Sequence, residues 1–211
     1  AVLAAAALLP FGTASAQTAD AAQRIAGAAN RFLSSLDTAQ RLRALIAFEA
    51  DNRIDWHDIP RNRSGLSLGE MQPAQATAAR ALFATVLNDE GLKLLDGVRL
   101  LEGVLREQQG SFRDPARYYV SVFGTPGRFP WGWRFEGHHL SLNVTLPTAG
   151  HVAVTPFFVG AHPATVRDGP NRGFRLLGTS EDLARQIMAG LSAPQRQTAI
   201  PNRARQCGQA G

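Results

Sequence analysis

The chain has a single cysteine in 211 residues, Cys207, so no disulfide can form within it and its stability has to come from packing. Lysine is almost as scarce: Lys93 is the only one among 22 basic residues. The net charge of +5 is scattered, with no run of five or six basic residues and no interleaved aromatic stripe, which argues against a nucleic-acid groove. No apolar run reaches the roughly 18 residues a spanning helix needs, so no membrane span is expected. Also missing are a Gly-x-x-x-x-Gly-Lys-Ser/Thr loop, a Gly-x-Gly-x-x-Gly fingerprint, paired Cys-x-x-Cys, Gly-x-Ser-x-Gly and helical His-Glu-x-x-His. Their absence removes the sequence-level case for nucleotide binding, structural zinc and a nucleophile elbow.

What is present begins with an uncharged apolar segment, Val2 to Leu9, followed by Ala14-Ser15-Ala16 in the small-x-small pattern of a signal-peptidase site. Residues 1–16 read as a secretory signal peptide whose N-terminal part lies upstream, and the protein is expected to be exported, periplasmic or extracellular. About 195 of the 211 residues follow it, with 45% apolar and 18% charged residues overall. That balance suits one globular domain, expected over residues 17–200, with 201–211 as an irregular tail.

The first half is helical in period. Ile25, Ala29, Phe32, Leu33 and Leu36 share a face, and Asp37 with Gln40 three residues on forms a capping-box signal for a second helix. Pro73 suits a first helical turn, and Ala79, Leu82, Phe83, Val86 and Leu87 recur at helical spacing. Leu94, Val98, Leu101 and Leu105 predict another helix, with Glu102 read as a surface partner of Arg106. From Tyr118 the period changes. Tyr118 to Phe123 reads as a strand ended by Gly124-Thr125-Pro126-Gly127, and Arg134 to Leu146 alternates apolar and polar residues. Pro147-Thr148-Ala149-Gly150 then joins it to His151–Phe158 as an antiparallel hairpin. Ser180 is the expected cap of a last helix with Glu181 and Asp182 in its first turn. Leu191-Ser192-Ala193-Pro194-Gln195-Arg196 echoes Leu36 to Arg41, which two copies of a helix-start signal explain. The fold class is α+β: N-terminal helices packed on an antiparallel β-sheet, with a C-terminal helix.

The densest run of chemically capable residues is Phe129 to Asn143. The Phe123-Gly124-Thr125-Pro126 step, Trp131-Gly132-Trp133, Glu136-Gly137-His138-His139-Leu140-Ser141-Leu142-Asn143 and Pro156-Phe157-Phe158-Val159-Gly160-Ala161-His162-Pro163 together resemble the DUF3500 family of functionally uncharacterised proteins. Arg53-x-x-Trp56, Gly65-Leu66 and Met71 add to the likeness, which runs from about Phe32 to Gln195. The resemblance implies a further C-terminal half with more strands and a histidine-containing segment, so this chain is expected to be a truncated member.

On a strand, His138 and His139 should face opposite ways, His138 with Glu136 and Leu140, His139 with Ser141 and Asn143. Imidazole near carboxylate is the donor set of a metal ligand or a general base. Glu136, His138 and His139 are therefore the candidate catalytic residues, and His138 and His139 the candidate metal ligands, with a divalent metal ion as the cofactor. Trp131, Trp133, Arg134 and Asn143 are the candidate ligand-binding residues, the indoles offering flat apolar faces to a small molecule. Asp55, His57 and Asp58 form a second, weaker acid–base candidate, and Arg53 is placed to stack on Trp56. Two readings stay open: a metal-dependent, hydrolase-like exported enzyme, and a non-catalytic exported ligand-binding protein whose histidines and tryptophans are structural.

Overall fold

The computed structural model describes residues 13–200, with side chains from residue 17 onward. Most of residues 1–16, where a signal peptide is expected, and the tail with Cys207 lie outside the described residues; from Thr13 the chain is already in the first helix. The described chain divides between Pro163 and Ala164 into two compact units.

In the first unit, α1 (Thr13–Ser35) and α3 (Pro73–Phe83) pack against each other. Ile25, Ala29, Phe32 and Leu33 are buried, as the period of α1 requires. Asp37 caps α2 (Thr38–Ala44): its Oδ1 accepts from Gln40 N at 2.8 Å, while Gln40 Oε1 accepts from Asp37 N at 3.1 Å. The buried amides of Gln40 and Gln75 also bond to each other, at 2.7 and 3.0 Å, tying α2 to the first turn of α3. The α3 helix ends at Phe83, short of Val86 and Leu87, because Asn88 caps the next helix, accepting from Gly91 N at 2.9 Å. That helix, α4 (Asp89–Gln109), buries Leu92, Leu95, Val98, Leu101 and Leu105. Asp89 and Glu90 in its first turn suit the helix dipole.

The sheet is mixed. Strand β1 (Leu45–Ile46) runs parallel to β3 (Tyr119–Phe123), while every other pairing among the described residues is antiparallel. The order is β1, β3, β4 (Trp131–Gly137), β5 (Leu140–Thr148), β6 (His151–Ala153); β2 (Leu66–Ser67) also pairs with β3, and β7 (Phe157–Val159) with β5. Register sorts the side chains of the central strands into two faces. One collects Val120, Val122, Trp131, Trp133, Phe135, Leu142, Val144 and Leu146. The other collects Tyr119, Ser121, Arg134, Glu136, Ser141 and Asn143. The alternation expected from Leu140 to Leu146 is present, but the polar face is not left to solvent: all seven residues of β4 are buried.

Two expectations change here. Arg134 to Leu146 is not one strand, since His138 and His139 form a two-residue turn between β4 and β5. In the second unit, α5 (Gly178–Gly190) starts two residues before Ser180, so Ser180 does not cap it. Arg175 binds Glu181 in the first turn of α5 and Asp182 just after it, at 2.9 and 2.7 Å, so Asp182 is not in the first turn as expected. The echo of the Asp37 signal starts a real helix, α6 (Ala193–Ala199), where Gln195 Oε1 accepts from Ser192 N at 2.8 Å. No helix among the described residues is long and apolar enough to cross a membrane.

Candidate functional site

The two-residue turn decides the geometry of the histidine pair. His139 sits at φ 59°, the left-handed region that a non-glycine residue enters mainly in tight turns. The turn brings the two rings together instead of sending them to opposite faces, and they stack at 3.8 Å between centroids. The opposite-face expectation was wrong because it assumed a continuous strand. His139 is fixed from both sides: its N–H donates to Asp58 O at 3.0 Å and its carbonyl accepts from Gly160 N at 2.8 Å. Its pKa is pushed down to about 4, first by burial and then by the neighbouring His138 and His162 imidazoles.

His138 is buried, and its carboxylate partner comes from α4. Nδ1 lies 2.5 Å from Oε2 of Glu102, whose side chain is only 4% exposed. In the neutral ring Glu102 accepts from Nδ1–H, which leaves the lone pair on Nε2. Arg113 Nη1 is 3.0 Å from both ring nitrogens. One donor cannot lie along two diverging lone pairs, so that nitrogen sits over the ring. Tyr118 donates its hydroxyl to His138 O at 2.9 Å, and burial pushes its phenol pKa up. Gly137 makes this possible, because a Cβ there would lie 2.3 Å from the Tyr118 ring. Around the pair runs a slot lined by Arg61, Arg63, Arg117, Asp114, Glu102 and His138, with room for about one water. Reading Glu102 as a surface partner of Arg106 was therefore wrong. Its position was a usable signal: it falls four residues after Val98 and seven after Leu95, inside the buried stripe of α4.

Glu136 does not join His138. Its Oε2 accepts from Arg63 Nε at 3.1 Å, and its Oε1 is 2.7 Å from Arg134 Nε, an ion contact without hydrogen-bond alignment. Burial pushes the Glu136 carboxyl up, with Arg134 and Arg63 pulling against it. The two guanidinium groups spend their other donors on one loop: Arg134 bonds Arg53 O and Asn52 O, while Arg63 bonds Arg61 O, His57 O and Ile59 O. This network fastens the 52–63 loop over the polar face of β4. Asp55 and His57, 2.9 Å apart on that loop, are exposed, and Arg61 holds Asp55 below the usual carboxylate range. Asp58 takes part through its carbonyl, under His139 N. Arg53 stacks on Phe48 rather than Trp56, its guanidinium carbon 4.3 Å from the ring centre.

Trp131 and Trp133 are core residues, 0% and 1% exposed, and Trp133 stacks on Phe83 of α3 at 5.7 Å. Arg134 is equally buried and committed to the loop. Asn143 bonds Ser141 Oγ at 2.9 Å and Pro156 O at 2.8 Å, anchoring the approach to β7. The proposed metal ligands do not fit a metal ion: stacked imidazoles do not converge on one point, Glu136 is held by two arginines and Glu102 by His138. No group of three or more His, Cys, Asp or Glu among the described residues is arranged to hold one.

No curated protein and no solved structure matches the chain. Residues 18–206 match the family described as "Protein of unknown function (DUF3500)", extending the likeness at both ends of the segment first recognised. On that match over most of its length, the chain belongs to the DUF3500 family.

Proposed function

We propose that this protein is an exported acid–base enzyme of hydrolase type, with His138 as the base and Glu102 as the carboxylate that orients it. The observation that carries the reading is the 2.5 Å Glu102–His138 contact, buried at a turn beside a slot the size of a water. A buried carboxylate holding Nδ1–H leaves Nε2 able to take a proton from water and return it to a leaving group. Of the arginines lining the same slot, Arg63 is paired with Glu136 and Arg61 with Asp55; Arg117, which among the described residues bonds Phe112 O and Asn62 Oδ1 but no carboxylate, is the one left to face an anionic substrate or a negative charge developing in the transition state. Arg113 and Tyr118 are positioning residues for the imidazole and the turn. Export rests on the Val2–Leu9 segment and Ala14-Ser15-Ala16, and expression of the full reading frame should give protein cleaved after Ala16.

The test is turnover of p-nitrophenyl phosphate, sulfate and acetate by the purified protein, its His138→Gln and Glu102→Gln variants, and the protein after chelation. The expected result is an activity on one of the anionic esters, insensitive to chelation and reduced about 10²-fold or more by His138→Gln. An activity equal in wild type and His138→Gln would defeat the assignment. One observation favours a non-catalytic, structural role for the pair: the slot admits no more than about a water in this conformation. Neither turnover nor binding of the anions, with His138→Gln lowering only thermal stability, would decide for it.

A further inference from the structure

A second cavity lies on the helix-bearing face of the sheet, open to solvent on one side and lined from α3, α4 and β4. Its volume is about 280 Å³, near the lower end of small-molecule sites. Phe83 and Phe135 form its apolar wall, stacked on each other at 4.3 Å, with Leu68, Ala76 and Leu95. Its polar lining is Arg80, Asp96, Arg99 and Thr77. Arg80 and Asp96 neutralise each other through paired hydrogen bonds of 2.9 and 2.8 Å. Arg99 is different: it is half-buried, its Nε donates to Pro115 O at 2.9 Å, and its two Nη groups have no hydrogen bond or ion pair among the described residues. The cavity thus joins an aromatic wall to one uncompensated guanidinium.

We infer that this cavity binds a small amphipathic monocarboxylate, with the carboxylate on Arg99 and an aromatic or branched apolar body against Phe83 and Phe135. A guanidinium with both Nη groups free matches a carboxylate in bidentate geometry. With Arg80 and Asp96 paired, the lining carries one net positive charge, which suits a monoanion. The inference does not rest on the acid–base reading: the Tyr118 and Phe135 rings, 6.0 Å apart, stand between this cavity and the His138 slot.

The probe is 3-phenylpropionate, titrated calorimetrically into the full protein beside its neutral analogue 3-phenylpropionamide and the cation 3-phenylpropylamine. The carboxylate is expected to bind at millimolar concentration or below, about tenfold or more tighter than the amide, with no binding of the amine. Arg99→Gln should remove the preference for the carboxylate over the amide, and Ala76→Leu, which fills the cavity, should weaken both ligands. Far-ultraviolet circular dichroism and thermal melting establish that each variant is folded, and the three-ligand comparison on wild type stands if one is not. No binding of 3-phenylpropionate, equal binding of the amide, or undiminished binding by folded Ala76→Leu would overturn the inference. The ester assay reads His138 and not this cavity, so each proposal can fail without the other.

Discussion

The two faces of β4 are buried equally well by unlike means. Trp131, Trp133 and Phe135 face the helices, and their burial removes large apolar areas from water, the non-directional term that dominates folding. Arg134 and Glu136 face the 52–63 loop, where the attraction has to offset a desolvation cost and depends on every donor finding its acceptor. The helix side confers stability that tolerates adjustment. The loop side confers position: it sets the loop under His139 N and brings Arg61 and Arg63 to the slot.

Breaking either side of β4 should have the largest effects. Glu136→Leu leaves two buried guanidinium groups without their carboxylate, and is expected to cost about 3–5 kcal/mol in urea unfolding. Replacing Arg63 and Arg134 by Met as well should recover only part of this, because five bonds to loop carbonyls are lost with them. Full recovery would mean the network contributes nothing specific. On the helix side, Trp133→Ala is expected to cost a similar ~3–5 kcal/mol by leaving a cavity against Phe83. The contrast is in recovery: Trp133→Phe should restore much of that loss, whereas Glu136→Gln should restore little.

A smaller effect is expected at Gly137. Gly137→Ala drives a methyl into the Tyr118 ring and should cost roughly 1–3 kcal/mol, with loss of the Tyr118 bond to His138 O seen as a shifted tyrosine absorbance. The smallest concerns pH. His139 has its folded pKa lowered to about 4 from an ordinary 6.5, so the unfolded chain binds the proton more readily. Its contribution to stability is full above about pH 6.5 and shrinks as pH falls toward 4. His139→Asn, which tolerates the left-handed backbone, should flatten the change in urea midpoint between pH 7 and pH 5. An unchanged slope would remove His139 from the titration.

Much of the fold was legible because it rests on periodic burial and local caps. The Asp37 and Gln40 signal formed the box it implied, and the alternation from Leu140 to Leu146 separated two faces. What could not be read was where a strand turns without glycine or proline. His138-His139 lacks the Asn-Gly or Asp-Gly pair that marks a two-residue turn, and the error about ring directions followed from it. The parallel pairing of β1 was hidden for a different reason: two residues give no period to detect. Site partners were harder still. Arg63 and Glu136 are 73 positions apart and Glu102 and His138 are 36 apart, so only the packing of α4 on the sheet brings the latter pair together. Glu136 was the nearer carboxylate in sequence but is not the partner of His138, since a separation of two residues says nothing about which loop lies over a strand.

The most direct test of the central claim is the protonation state of His138 in the folded protein, read from one-bond and long-range ¹⁵N–¹H correlations of the imidazoles at neutral pH. The expected result is a neutral ring protonated on Nδ1, with that proton far downfield because of the short contact to Glu102, and with the signal lost in Glu102→Gln but kept in His139→Asn. A ring protonated on Nε2, or a signal indifferent to Glu102→Gln, would contradict the assignment of His138 as an oriented base.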